Sequence, residues 1–251
     1  MNKLITIITL ILIAFSINAQ KVSTGQIKQL IKSNDQAAIQ SLLDNGLDIN
    51  TRFRGKQTML HFATEEKNFQ LVKFLVERGA DMNMQTKDLW TPLYLSTSSI
   101  WRNDTITEFL VQNGANMDIG EKHGFTPIFN TVYETYQNTK IFKLLADSGA
   151  NLNIVCPKCC NLSLFILVCM YGNTEMLKIL KENSIDFQQK NCQGRNGLIL
   201  AIYSKNYSVL SFLLKNGVSK YEKDNSGLNA IDYAAINNDE TSIILLNSIG
   251  Q

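Results

Sequence analysis

The cysteines are the residues whose type and spacing could most readily do chemistry in this chain. Cys156, Cys159 and Cys160 form one cluster, and Cys192 follows some thirty residues later. In an oxidising compartment such cysteines favour disulfides, and four of them allow three complete pairings. Three alternatives stay open: free thiols, a zinc ion held by four thiolates, and a Cys-x-x-Cys redox site.

The histidines and carboxylates do not form a catalytic set. His61 and His123 are the only two histidines, and the carboxylates are scattered along the chain. The sequence has no Gly-x-Ser-x-Gly, His-Glu-x-x-His or phosphate-binding Walker pattern. We therefore expect no catalytic residue, no cofactor and no enzyme activity, with a metal considered only at the cysteine cluster.

Composition is ordinary for a globular protein and gives no sign of nucleic-acid binding. The chain has 251 residues, of which 45% are hydrophobic, enough for a sizeable core. Lys and Arg total 24 against 22 Asp and Glu, a formal charge of +2. A nearly neutral chain without a basic block gives little reason to expect nucleic-acid binding.

The first residues have the pattern of a secretory signal. Lys3 precedes an apolar run over residues 4–15, and Ala19 stands before Gln20. A positive start, a short apolar run and a small residue before a polar one are typical of a cleaved signal peptide. The run is shorter than the roughly 20 residues of a membrane span. We expect cleavage after Ala19 (segment 1–19 removed) and a periplasmic or secreted bacterial protein without a membrane span. The alternative is an uncleaved anchor or a buried terminal helix.

A repeat organises the rest of the chain. A phrase such as Val76-Glu77-Arg78-Gly79-Ala80-Asp81 recurs, and its anchor residues lie 33 or 35 positions apart. The anchors are Gly46, Gly79, Gly114, Gly149, Ser184, Gly217 and Gly250. Self-similarity at a fixed period of this length indicates stacked units that share a continuous core.

A second phrase precedes each later anchor, as in Thr58-Met59-Leu60-His61-Phe62-Ala63 and Thr91-Pro92-Leu93-Tyr94. It resembles the ankyrin repeat, whose signature is Thr-Pro-Leu-His-x-Ala at a period near 33. The resemblance covers about residues 22–251, although the last three units lack the Pro and His. It implies an all-α solenoid of about seven helix-turn-helix units with finger loops in a domain of residues 20–251. The expected units are 22–50, 51–83, 84–118, 119–153, 154–188, 189–222 and 223–251. We place the extra residues of units three and four between the paired helices, near 98–103 and 133–139.

The resemblance implies non-catalytic binding of a protein partner by a monomer. Such proteins bind through the finger loops, which precede the first helix of each unit, and through the concave face made by those helices. The contact residues that it suggests here are Trp90, Phe125, Trp101, Tyr133, Tyr136, Tyr171, Tyr203 and Arg195. Packing of these side chains between units is the alternative. The family's signature histidine would make His61 a structural tie between turns.

Two other functions remain open at this point. One is an immunity or stabilising accessory protein for a single toxin or enzyme. The other is a thiol-redox or zinc site at Cys156, Cys159, Cys160 and Cys192. Cys159 lies four residues before Ser163, and Cys192 lies four residues before Asn196, so the two cysteines occupy equivalent places on neighbouring fingers. A disulfide between them would crosslink the fingers if their Cα atoms come within about 7 Å, but the sequence leaves the connectivity open. Cys169 aligns with a small core position and is expected to be a buried thiol.

Overall fold

The computed structural model describes residues 22–133, 138–156 and 159–248. The expected signal segment 1–19 and the candidate contact residue Tyr136 lie outside the described residues, so both stay predictions. None of the helices within the described ranges has the length and hydropathy needed to cross a membrane.

Seven pairs of antiparallel helices follow one another along the described chain. The first three pairs are α1 Thr24–Lys32 with α2 Gln36–Asp44, α3 Met59–Glu65 with α4 Phe69–Glu77, and α5 Pro92–Thr97 with α6 Asp104–Gln112. The next two are α7 Pro127–Asn130 with α8 Thr139–Asp147, and α9 Leu164–Tyr171 with α10 Thr174–Glu182. The last two are α11 Gly197–Tyr203 with α12 Tyr207–Lys215, and α13 Ala230–Ile236 with α14 Glu240–Ser248. This arrangement confirms the helical solenoid expected from the repeat.

Local sequence sets where each helix begins and ends. The Asn68 side chain accepts a hydrogen bond from the backbone N–H of Leu71 and so caps α4, and a cap of this kind is worth about 1 kcal/mol. Thr91 caps α5 in the same way, with Pro92 in the first turn, where its missing N–H costs nothing. After α4, Gly79 has φ +85°, a left-handed conformation that favours glycine.

The core lies between the stacked units. Leu71 and Leu75 on α4 and Phe62 on α3 are almost completely buried. In most neighbouring units the first helices pack against each other, and so do the second helices. A pair of short helices cannot bury both of its apolar faces alone, so each unit depends on the next one for its stability.

Units three and four differ from the others where the sequence predicts. Their paired helices are separated by residues 98–103 and 131–138, against residues 66–68 in unit two. Unit five departs from the all-α expectation, because its finger loop contains a short antiparallel pair, β1 Val155–Cys156 with β2 Leu162–Ser163. That pair places residues 155–156 beside residues 162–163, just before α9.

Candidate aromatic binding surface

The finger loops are closed by a hydrogen bond that repeats from unit to unit. In each such loop, the residue just before the N-cap of the first helix accepts a hydrogen bond at its carbonyl oxygen. The donor is the backbone N–H of the residue four positions earlier. In unit three the Thr86 N–H donates to the Trp90 carbonyl at 3.0 Å, and in unit four Glu121 donates to Phe125 at 3.0 Å. The Trp90 N–H also donates to Thr86 Oγ1 at 3.2 Å. The backbones that carry Trp90 and Phe125 are therefore fixed in the same way.

Trp90 and Phe125 line one groove across units three and four. The groove encloses about 640 Å³ and is called here the aromatic groove; its lining comprises Trp90, Tyr94, Ser98, Ser99, Ile100, Trp101, Phe125, Phe129, Asn130 and Tyr133. The Trp90 ring lies nearly parallel to that of Tyr94, with centroids 6.3 Å apart and an interplanar angle of 17°. Trp101 packs 5.5 Å from Trp90. None of these lining residues carries a charge at neutral pH, so the surface is apolar with neutral hydrogen-bonding groups.

Tyr133 continues this surface into the next units. Its ring centroid lies 6.5 Å from that of Phe125 and 5.6 Å from that of Tyr171. Tyr133 is also part of a second groove of about 330 Å³, called here the disulfide groove, whose lining includes Tyr171, Tyr203, Arg195, Leu162, Cys159 and Cys160. With 58% of its surface exposed, Tyr133 joins the two grooves at the solvent boundary.

Arg195 is held by a network between units six and seven. Its Nε lies 3.4 Å from Asp224 Oδ2, and its side chain is only 21% exposed. The Tyr233 hydroxyl donates to the same Asp224 oxygen at 2.6 Å, and this hydrogen bond is the main cause that lowers the pKa of Asp224. The guanidinium carbon lies 4.7 Å from the centre of the Tyr203 ring. Arg195 therefore positions Tyr203 at the groove wall, with its own charge balanced by Asp224.

His61 ties unit two to unit three, as the signature implies. The Thr58 N–H donates to His61 Nδ1 at 3.1 Å, so the ring proton is on Nε2, which lies 3.1 Å from the Trp90 carbonyl oxygen. The ring is completely buried, and this burial lowers the pKa of His61 to about 4. The neutral ring has no free nitrogen for catalysis.

The four clustered cysteines form two disulfides. Cys156 is joined to Cys159, with Cα atoms 5.2 Å apart, and Cys160 is joined to Cys192, with Cα atoms 4.8 Å apart. Cys169 is the remaining free cysteine and is buried, as expected, and that burial raises its pKa. Among the described residues no group of three or more His, Cys, Asp or Glu side chains could hold a metal ion.

The two disulfides lie among the four candidate cysteines, and the one that joins neighbouring fingers uses Cys160 and not Cys159. Neighbouring fingers are offset by one residue. The residue three positions before the N-cap of one first helix is hydrogen-bonded to the residue four positions before the N-cap of the next first helix. The Cys192 N–H donates to the Cys160 carbonyl at 3.0 Å, just as Lys87 donates to Gly55 at 2.7 Å and Asn225 to Gln193 at 3.0 Å. This offset places Cys160, and not Cys159, beside Cys192.

The grooves bring together seven of the eight suggested contact residues: Trp90, Phe125, Trp101, Tyr133, Tyr171, Tyr203 and Arg195. Whether they contact a partner stays a prediction. Sequence reasoning missed Tyr94 and Phe129, which also line the aromatic groove. The available signal was their position in the repeat, because both stand where the signature histidine would be.

Comparison with known proteins accounts for almost the whole described chain. A family model described as ankyrin repeats in three copies matches residues 27–121, 60–156, 128–224 and 165–251. The chain is similar to the crystal structure of the ankyrin repeat domain of Bcl-3, with a TM-score of 0.74 and 18% identity over 88% of this chain and 97% of that one. It is also similar to the human ASB11 ankyrin repeat domain, with a TM-score of 0.70 and 21% identity over 90% and 98% of the two chains.

Similar curated proteins share only short segments with this chain. One is palmitoyltransferase AKR1 of Naumovozyma castellii, 39% identical over 66 residues, which are 26% of this chain and 9% of that protein. Another is a putative ankyrin repeat protein of Rickettsia bellii, 34% identical over 55 residues, or 22% and 16% of the two proteins. The chain thus covers a small part of these relatives' lengths. Together with the stacked helix pairs, the family match shows that this chain belongs to the ankyrin repeat family, whose repeats are protein-interaction modules.

Proposed function

We propose that this protein binds a protein partner through the aromatic groove and the adjoining disulfide groove, without catalysing a reaction. The observation that carries the proposal is the continuity of the two grooves through Tyr133, which lines both. Trp and Tyr are the residue types that most often dominate binding energy at interfaces. A contiguous exposed apolar surface on a repeat protein is itself typical of an interaction site.

The rings are held before any partner arrives. The carbonyls of Trp90 and Phe125 accept the hydrogen bonds that close their finger loops, and Trp90 is wedged between Tyr94 and Trp101. Little side-chain freedom is then lost on docking, and that saving favours affinity. Because the lining of the aromatic groove is uncharged, we expect it to take an uncharged, apolar segment of the partner.

We further place this binding outside the cytoplasm, in a bacterial periplasm or the extracellular medium. Two features support the location. The N-terminal pattern of Lys3, the apolar run and Ala19 is typical of a cleaved signal. The paired cysteines require an oxidising compartment for their disulfides to persist.

The proposal is tested by capturing partners with the purified protein from an extracytoplasmic fraction of its own host. Wild-type protein and a Tyr133→Ala variant serve as paired baits, because Tyr133 lines both grooves. We expect a partner that the wild type retains and that the variant loses. Equal retention by both baits would show that binding occurs on another surface. Circular dichroism of the variant checks that the helices are unchanged.

A further inference from the structure

We infer that the Cys160–Cys192 disulfide is a redox-exchange site for a protein dithiol of the thioredoxin type, and that its reduction opens the wall of the disulfide groove. This inference deepens the proposed function and rests on it, because the disulfide groove is half of the proposed binding surface. The disulfide joins two fingers and has a sequence separation of 32 residues.

The two disulfides differ in their access to solvent. Cys156 is completely buried and Cys159 is half-buried, whereas Cys160 and Cys192 are both exposed. Exchange requires an attacking thiolate to reach a sulfur atom, so its rate depends on access. The Cys-x-x-Cys motif points to Cys156 and Cys159 as the reactive pair, but the structure favours the bond between the fingers.

Both residues of this disulfide are exposed, and we assign Cys192 as the attacked sulfur because it lies outside the groove. Cys160 lines the disulfide groove together with Tyr133 and Leu162, and so faces the interior of the proposed binding surface. Cys192 lies on the neighbouring finger and contributes nothing to the groove lining. Its carbonyl accepts from Asn225 Nδ2 at 3.1 Å, which ties the backbone of this finger to the next one.

The reaction is a two-electron exchange. One thiolate of the reductant attacks Cys192 Sγ, the S–S bond breaks, and Cys160 leaves as a thiolate that takes a proton from water. The second thiol of the reductant loses its proton and attacks the reductant's own sulfur in the mixed disulfide, which releases the Cys192 thiolate. The reductant ends as a disulfide and the protein gains two thiols.

Reduction should release the turn that forms the groove wall. Cys160 has φ 61° and Asn161 has φ 52°, so two consecutive residues other than glycine are left-handed. This conformation is unfavourable for L-residues and persists where surrounding structure holds it. Without the crosslink, the hydrogen bond from the Cys192 N–H to the Cys160 carbonyl still joins the two fingers, while the β1–β2 pairing and the Cys156–Cys159 disulfide hold the hairpin side of the turn. Reduction therefore frees the side of the turn that faces unit six, and Cys160 can move away from the neighbouring finger.

The exchange site is tested on the full-length protein purified without reductant. The probe is thioredoxin whose second active-site cysteine is replaced by serine, which traps the mixed disulfide for mass spectrometry. We expect the trap on Cys192, and reduction of Cys160–Cys192 about tenfold or more faster than that of Cys156–Cys159. In concentrated guanidinium chloride this preference should disappear, because it comes from the fold. A trap on Cys156 or Cys159, equal native rates, or free Cys160 and Cys192 in the starting protein would overturn the site, and a trap on Cys160 would overturn the assignment of Cys192 as the attacked sulfur.

The consequence for the groove needs a separate measurement. Cys160→Ser with Cys192→Ser should speed amide hydrogen exchange at residues 160–161 and 190–195 by about tenfold or more, whereas Cys156→Ser with Cys159→Ser should leave exchange at residues 190–195 unchanged. The Cys160→Ser, Cys192→Ser variant should also bind a captured partner more weakly than the oxidised wild type, and no more tightly than the reduced wild type. Unchanged exchange and affinity in that variant would overturn the opening of the wall and leave the proposed function intact. If the oxidised protein has no partner, the proposed function fails, whatever the trapping experiment shows.

Discussion

His61 donates a hydrogen bond from Nε2 to the carbonyl oxygen of Trp90, 3.1 Å away. The donor is identified by the opposite nitrogen, which accepts from the Thr58 N–H. A buried residue of unit two thus fixes the backbone of a ring in the aromatic groove of unit three. Through this contact, the stability of the stack and the geometry of the candidate binding surface depend on the same side chain.

The protonation of His61 should make the stability of the protein depend on pH. Burial lowers its pKa to about 4 in the folded state, against about 6.5 when unfolded. The neutral, buried ring of His61 contributes its full share of the unfolding free energy above about pH 6.5. This share is lost as the pH falls towards 4, because in that range only the unfolded chain takes up the proton. We expect unfolding free energy to fall by roughly 2 kcal/mol between about pH 7 and pH 5, measured by urea titration.

Two variants isolate this effect from other titrating groups. His61→Gln should be less stable at neutral pH and should lose most of the pH dependence between about 7 and 5. His123→Gln is the matched control, because it replaces the other histidine of the chain, whose side chain is 50% exposed. If the unfolding free energy of the His61→Gln protein depends on pH as strongly as that of the wild type, His61 is not the source of the pH dependence.

Leu75 tests the packing between units. It is fully buried on α4, so Leu75→Ala removes apolar contacts and leaves a cavity. The expected loss of unfolding free energy is about 2–5 kcal/mol, measured by denaturant titration. Ile244→Ala serves as the control, since Ile244 is 66% exposed and its replacement should have little effect. A loss below about 0.5 kcal/mol for Leu75→Ala would contradict the burial.

The two disulfides should stabilise the chain unequally. Chain entropy gives about 3–4 kcal/mol for closing a loop of the Cys160–Cys192 separation, but only about 1.5–2 kcal/mol for that of Cys156–Cys159. We therefore expect Cys160→Ser with Cys192→Ser to unfold at a lower denaturant concentration than Cys156→Ser with Cys159→Ser. Identical midpoints would contradict the crosslink between fingers.

The proposed export signal makes a simple prediction. Mature protein recovered from the periplasm or medium of its host should begin at Gln20, as determined by N-terminal sequencing. Finding Met1 on exported material would refute cleavage after Ala19. Blocking export should also leave the cysteines reduced, because cytosolic thiols are kept reduced.

The repeat was readable from sequence because the packing of stacked units imposes a period on the apolar residues. The anchors and the Thr-Pro phrases therefore predicted the helix pairs, and the surplus spacing predicted the longer connections in units three and four. The Cys160–Cys192 pairing was not predictable in this way. It depends on an offset of one residue between neighbouring fingers, which sequence alignment of equivalent positions does not contain.

The binding surface was only partly readable for a similar reason. Trp90 and Phe125 stand at equivalent repeat positions, so their sharing of one groove could be expected. Tyr94 and Phe129 stand at the signature histidine position, where a structural residue is expected, and Phe129 is indeed buried beside the aromatic groove. The role of Arg195 depends on Asp224 and Tyr233 of the next unit, and their distances follow from the stacked fold.

The most direct test of the account is the affinity of a captured partner for the Trp90→Ala, Phe125→Ala double variant, measured by calorimetric titration. Tyr221→Ala is the matched control, because Tyr221 is an exposed aromatic residue, at 65%, outside both grooves. The account predicts that the double variant keeps its helical circular dichroism and binds about tenfold or more weakly, a loss of at least about 1.4 kcal/mol, while the control binds like the wild type. Wild-type affinity of the double variant, or collapse of its helical signal, would contradict it.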